Sequence, residues 1–266
     1  ARTNTTVVVA TITTAFTNTN ATAAFNLGAF SDTTGHPSCV SFFEQRLVFA
    51  GTTDEPQTLF FSKAGDYENM TTGTNADDAM VYTIASNQVN AIRYMKAVRT
   101  LVVGTTGGEF TVSADGTDAS ITPTNITIKR QSSFGSANVD AIPAGNAILF
   151  LQKAKRKIRE LQYNFDSDGY QAPDLTILNE TVTDTGINEM SYQQEPGSNI
   201  WCVRDDGVLA CLTYQRSENV IAWSRHIFGG AFGSGKAVCE SVASISGVLT
   251  EDEVWVIVKR TINGAT

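Results

Sequence analysis

The chain predicts an all-β fold, a β-propeller built of four-stranded antiparallel blades, and three observations predict it. Threonine is abundant, long runs of strong helix formers are missing, and apolar hairpins recur about every fifty residues. Marking the middle strand of each unit at Leu47, Leu101, Ile148, Ile200 and Val254 gives spacings of 54, 47, 52 and 54 residues. That is blade length for a propeller. A β-sandwich has similar strand density but requires no unit of this period.

The units follow in order. The first reads 40–43 (VSFF), 46–51 (RLVFAG) and 58–62 (TLFFS), and the second 89–92 (VNAI), 101–104 (LVVG) and 108–113 (GEFTVS). The third reads 139–142 (VDAI), 148–151 (ILFL) and 158–161 (IREL), and the fourth 187–190 (INEM), 200–203 (IWCV) and 208–212 (VLACL). The fifth has 240–245 (ESVASI) and 254–258 (VWVIV). Segments 126–130, 175–178 and 220–224 are expected to supply fourth strands. Only 153–162 (KAKRKIRELQ) tempts a helix reading, and its apolar flanks make it a basic turn between two strands.

We divide the chain into residues 1–30, a Thr-rich strand segment from a preceding domain or inter-domain connection, and residues 31–266, a propeller domain with about five blade units. The first segment contains the alternating run 6–14 (TVVVATITT), and the fifth unit stops after two strands. An open propeller leaves sheet edges unpaired, so the chain is expected to be a portion of a longer polypeptide.

Charge and composition narrow the function. With 42% hydrophobic and 17% charged residues the chain can bury a real core. Acidic residues outnumber basic ones 27 to 19, for a formal charge of -8, which argues against a surface made to grip nucleic acid. No apolar run approaches the roughly 20 residues of a membrane helix, so no membrane insertion by this portion is expected. Cys39, Cys202, Cys211 and Cys239 form no C-x-x-C pair and are expected to be reduced, although Cys202 and Cys211 flank a turn at Asp205-Asp206-Gly207 that could bring them across a hairpin.

Several motifs imitate chemical sites. Residues 230–237 (GAFGSGKA) match the start of a phosphate-binding loop, but Ala237 stands where a magnesium-ligating hydroxyl belongs and an alternating strand pattern follows instead of a helix. His36 and Cys39 lack the second pair of ligands that a structural zinc takes. Residues 166–169 (DSDG) open like a calcium loop without its closing glutamate. No nucleophile elbow is present, and we name no catalytic residue, cofactor or metal ligand.

Two segments stand out as candidate contacts with a subunit or partner. Lys153, Lys155, Arg156, Lys157 and Arg159 place five cations within seven residues of an acidic chain, a solvated hairpin tip or a patch for an acidic neighbour. Trp223, Arg225 and His226 put an aromatic beside a cation.

Ten stretches carry a resemblance: 37–52 (PSCVSFFEQRLVFAGT), 56–69 (PQTLFFSKAGDYEN), 84–92 (IASNQVNAI), 101–113 (LVVGTTGGEFTVS), 121–135 (ITPTNITIKRQSSFG), 158–163 (IRELQY), 174–178 (DLTIL), 190–196 (MSYQQEP), 201–214 (WCVRDDGVLACLTY) and 222–226 (AWSRH). Together they are similar to the large bacteriophage tail proteins that form the nozzle or hub of a short tail, the tail tubular protein B family. The resemblance implies a β-propeller, a hexameric ring of identical copies in the virion, contact with the adaptor and portal-side proteins and with tail fibres, and passage of double-stranded DNA during ejection. An acidic conduit fits that role, because each neutralised phosphate adds affinity and therefore drag.

The expectation is thus a structural virion protein, not an enzyme. The alternative is a receptor-binding or carbohydrate-active tail module, which needs a carboxylate pair on a concave face, with Asp66, Glu68 and Glu109 as candidates. A third reading is a cellular propeller that serves as an interaction scaffold.

Overall fold

The computed structural model describes residues 29–86, 88–116, 119–247 and 251–262. The expected strand segment at the N-terminus therefore lies, but for its last two residues, outside the described residues. What is described is a series of antiparallel meanders in chain order. The first blade is β1 (Cys39–Phe43), β2 (Arg46–Ala50), β3 (Thr58–Phe61) and β4 (Met80–Thr83); the second is β5 (Ile92–Ala97), β6 (Leu101–Thr105), β7 (Gly108–Ala114) and β8 (Ile126–Ser132). The third is β9 (Ile142–Ala144), β10 (Ala147–Leu151), β11 (Ile158–Asn164) and β12 (Gly169–Gln171); the fourth is β13 (Ile187–Gln193), β14 (Asn199–Arg204), β15 (Leu209–Gln215) and β16 (Val220–His226). A two-residue hairpin, β17 (Ala231–Phe232) and β18 (Gly235–Lys236), leads to the two described strands of a fifth blade, β19 (Val238–Ile245) and β20 (Glu253–Lys259).

Successive four-stranded meanders whose first strands stand side by side define a β-propeller: β1 packs beside β5, β9 beside β13, and β13 beside β19. The period-2 alternation of each middle strand explains the stacking. Val48 and Ala50 meet Leu101 and Val103 of the second blade, Val102 meets Ile148 and Phe150 of the third, and Leu149 and Leu151 meet Ile200 and Cys202 of the fourth. Val203 meets Val254 and Val256 of the fifth. In every blade the first and third side chains of the marked strand face backwards and the second and fourth face forwards. A one-residue slip would exchange the two faces.

Polar stitches join the same neighbours. The Glu44 carboxylate, on a two-residue turn with positive φ at Glu44 and Gln45, accepts the Ile121 backbone N–H at 2.7 Å. Lys96 pairs with Asp140 at 2.6 Å, and the Glu189 carboxylate accepts the Ser241 hydroxyl at 3.1 Å. Gly104 sits directly opposite Tyr94 in the β5–β6 pair, where any Cβ would collide with the tyrosine ring.

Four details differ from the sequence reading. The first strand of the second blade runs from Ile92, not to it, because Met95 and Tyr94 turn alternately to the two neighbouring blades while Val89 stands in solvent. The first strand of the third blade begins at Ile142, three residues late. Residues 175–178 are not a fourth strand: Pro173 cannot donate to a ladder, the Asp174 carboxylate takes the Thr176 N–H at 2.8 Å to make a turn, and β12 occupies the blade edge instead. The fourth strand of the first blade, β4, was not anticipated. All four cysteines are free, and burial pushes the Cys211 thiol up to about 11.

Candidate functional site

The basic cluster occupies the connection between β10 and β11, and its backbone is pinned on both sides. Lys153 N–H donates to the Gly135 carbonyl at 3.0 Å, Ile187 N–H donates to the Lys155 carbonyl at 2.9 Å, and the Thr183 hydroxyl donates to the Arg156 carbonyl at 2.6 Å. Gln152 N–H closes the turn on the Lys157 carbonyl at 2.8 Å, and Lys155 takes φ 61 within it.

Three of the five cations are engaged by the chain itself. The Arg159 guanidinium donates to Gln152 Oε1 at 2.8 Å and the Ala172 carbonyl at 2.7 Å, and lies 3.5 Å over the Phe134 ring. Lys157 Nζ lies 2.8 Å from Asp174 and 3.6 Å from Glu180, and Lys155 Nζ donates to Asn188 Oδ1 at 2.7 Å. Lys153 and Arg156 are the exposed members. The tip is therefore a rigid turn with two outward cations, rather than a flexible run of five.

The Asp174 carboxyl shows how far this frame is electrostatic. Burial raises it, but hydrogen bonds from Lys157 and Thr176 outweigh burial and hold it below the usual carboxylate range. A depressed folded value means that the unfolded chain takes up the proton first as pH falls. The stabilisation is complete above the unfolded value of about 3.9 and is lost as pH drops through the folded one. Asp174→Asn is thus expected to be less stable than the parent at pH 6, with the difference shrinking towards pH 3 in denaturant titrations; a pH-independent difference would refute this.

The second candidate segment lies on β16. Trp223 is half-buried, and its indole N–H donates to the Leu175 carbonyl of the third blade at 3.0 Å. It is an inter-blade strut of its own chain. His226 packs on Trp201 with ring centroids 5.0 Å apart and meets Ser224 Oγ at 3.1 Å, and Arg225 is exposed. The structure thus assigns Trp223 an internal contact and leaves Arg225 and His226 on the surface.

The carboxylates considered for glycoside chemistry stand in different surroundings, Glu109 sealed from solvent and Asp66 and Glu68 exposed. Glu109 is 0% exposed and accepts hydrogen bonds from Ser136 at 2.8 Å and from Ser132; burial raises its carboxyl above the usual range, against these two bonds. Asp66 and Glu68 are exposed on the loop after β3. Sequence reasoning missed Glu160, which is buried with Arg216 Nε at 3.3 Å, and Phe134, which supports Arg159. A charged residue inside an apolar strand pattern was the available signal for Glu160.

The motif imitations resolve into turns. Residues 230–237 form the β17–β18 hairpin with Gly233 at φ +58, and Asp168 accepts the Tyr163 hydroxyl in the turn before β12. His36 Nε2 reaches Asp32 at 3.2 Å, while Cys39 Sγ lies beside Ser38 Oγ. Among the described residues no three His, Cys, Asp or Glu side chains gather as a metal site. Two shallow depressions, of about 230 and 290 Å3, lie around Phe165 and Arg216 and around Phe228 and Phe232.

Fold and surface together define a β-propeller domain. No family model matches the chain, and no curated protein does. Among solved structures it is similar to the β-propeller domain of Myceliophteria thermophila Cps50 (Swd1), at 11% identity over 84% of this chain and 85% of that one, with a TM-score of 0.39. It is also similar to a luciferin-regenerating enzyme, at 12% identity over 83% of this chain and 89% of that one, with a TM-score of 0.29. Neither likeness bears on function.

Proposed function

We propose that this chain is part of a structural virion protein of a bacteriophage tail, a propeller portion of the nozzle that assembles as a ring and conducts DNA during ejection. The observation that carries the reading is the distribution of its nozzle-like stretches. They fall on β1–β2, β3, β6–β7, β8, β11, β13, β14–β15 and β16, so each of the four complete blades contributes, rather than one loop. A fold alone supports many functions; a likeness spread over four blades supports a shared scaffold role.

In this reading the outward cations Lys153 and Arg156 meet an acidic neighbouring subunit, while Lys155, Lys157 and Arg159 hold the turn in place. Adaptor, portal-side and fibre proteins are the further partners. The test is imaging of particles that contain the chain, with Lys153→Glu and Arg156→Glu introduced together. A sixfold ring around an axial channel, weakened by the paired reversal with the fold intact, is the expected result. A particle without such a ring would overturn the nozzle reading, and an unaffected ring would remove these cations from the interface.

A further inference from the structure

The depression of about 230 Å3 around Phe165 and Arg216 lies where the third and fourth blades part. Strand β11 lines it. Period-2 alternation sends Ile158, Glu160, Gln162 and Asn164 to the face that packs on the fourth blade. Ile158 belongs to the apolar core with Ile200 and Leu212, Glu160 is the next step outward, and Gln162 and Asn164 reach the depression. The register places Gln171 of β12 directly opposite Gln162, on the same face. One strand face thus turns from apolar to polar where the blades separate.

From the fourth blade, Arg216 closes the wall. Its Nε lies 3.3 Å from Oε1 of Glu160, which is 0% exposed and has no hydrogen-bond partner among the described residues. A buried carboxylate stripped of its cation is costly, so this pair holds Arg216 in place over it. At the rim Phe165 is 86% exposed, a bare ring on a hairpin tip closed by the Asp168 N–H on its carbonyl at 3.2 Å. The Ser167 N–H donates to Asn164 Oδ1 at 3.0 Å, and Gln171 Nε2 donates to Ser167 Oγ at 3.3 Å. Among the described residues Asn164 keeps its NH2, Gln171 its carbonyl oxygen and Gln162 both ends of its amide unbonded.

These groups say what would fit. The charges of Arg216 and Glu160 offset each other, and Asp166 on the wall adds one carboxylate. A phosphate or carboxylate would meet two acidic groups, and a cation would meet Arg216. A neutral sugar ring meets neither penalty. Its hydroxyls both donate and accept, as the amides do, and its C–H face lies flat on an aromatic ring. The volume is below the roughly 300 Å3 at which sites for larger ligands begin, which suits a single ring.

We infer that this depression is a saccharide-binding subsite, which holds one neutral hexopyranose unit of a glycan between Phe165 and the amides of Gln162 and Gln171. The inference is of binding, not of bond cleavage, and it stands independently of the nozzle reading.

Saturation-transfer NMR on the whole chain tests it. The probes are the methyl glycosides of glucose, galactose, mannose and N-acetylglucosamine, with an oligothymidylate as the nucleic-acid arm. At least one glycoside is expected to receive saturation and to titrate in the millimolar range. Phe165→Ala removes a ring that stacks on no other described aromatic, so the melting curve is expected to match the parent's while binding weakens about tenfold or more. Gln162→Ala is expected to weaken it about fivefold, the loss of one hydrogen bond. No transfer to any of the four glycosides, or an affinity unchanged by Phe165→Ala, would overturn the proposal. Oligothymidylate binding that Phe165→Ala abolishes, without glycoside binding, would overturn it in favour of a nucleobase site.

Discussion

Arg46→Ala is expected to lower stability by about 3–5 kcal/mol, the range for removing one partner from a buried charged network. Arg46 is 2% exposed and donates to the carbonyls of Ser62, Ala76 and Asp78 at 2.8, 2.7 and 2.7 Å. Those three carbonyls belong to the long connection between β3 and β4, which has few ladder bonds of its own. One planar guanidinium satisfies acceptors that no local structure reaches. Lysine lacks the fork geometry, so Arg46→Lys is expected to recover only part of the loss. A urea midpoint shift with an unchanged slope is the readout; a loss below about 1 kcal/mol would show that the loop is held by other contacts.

Phe150→Ala is expected to have a comparable effect, about 3–5 kcal/mol, because a fully buried aromatic leaves a cavity that a packed interface refills poorly. Phe150 is 0% exposed in the cluster where the second and third blades meet, with its ring centroid 6.1 Å from that of Tyr94. Tyr94 is itself pressed over Gly104 and cannot move inward to fill the space. Phe150→Leu keeps most of the volume and is expected to cost less than half as much. Equal losses in the two variants would mean that ring stacking, not filled volume, carries the contact.

Both predictions concern groups whose importance is unequally visible in sequence. Phe150 lies in the apolar run 147–151, inside a marked blade unit, and its burial follows from that pattern. Arg46 opens β2, and a cation at a strand end carries no local sign of burial. Its role depends on carbonyls 16 to 32 residues away. The basic tip shows the same division. Its turn was legible from the apolar strands on either side, whereas the engagement of Lys155, Lys157 and Arg159 depends on Asn188, Asp174, Glu180 and Phe134, each brought in from another segment.

The misplaced strands have a related cause. Residues 175–178 are as apolar as a strand, yet Pro173 and the Asp174 turn divert them, and β12 with its short GYQ sequence takes the edge. A strand at a blade edge has one neighbour and half-exposed side chains, so its sequence carries a weak pattern. The middle strands β6, β10 and β14, buried between neighbouring blades, carry the strongest one, which is why their positions follow from the sequence.

The sequence by itself therefore determined the all-β class, the blade period and the alternation that sends successive side chains to opposite neighbours. These follow from strand sterics and burial, which act over a few residues. Only the tertiary structure decided which cations remain outward, that Glu109 is sealed between blades, and that Trp223 is a strut. Each of these depends on which distant segment stands next to which strand, and no local pattern encodes that neighbour.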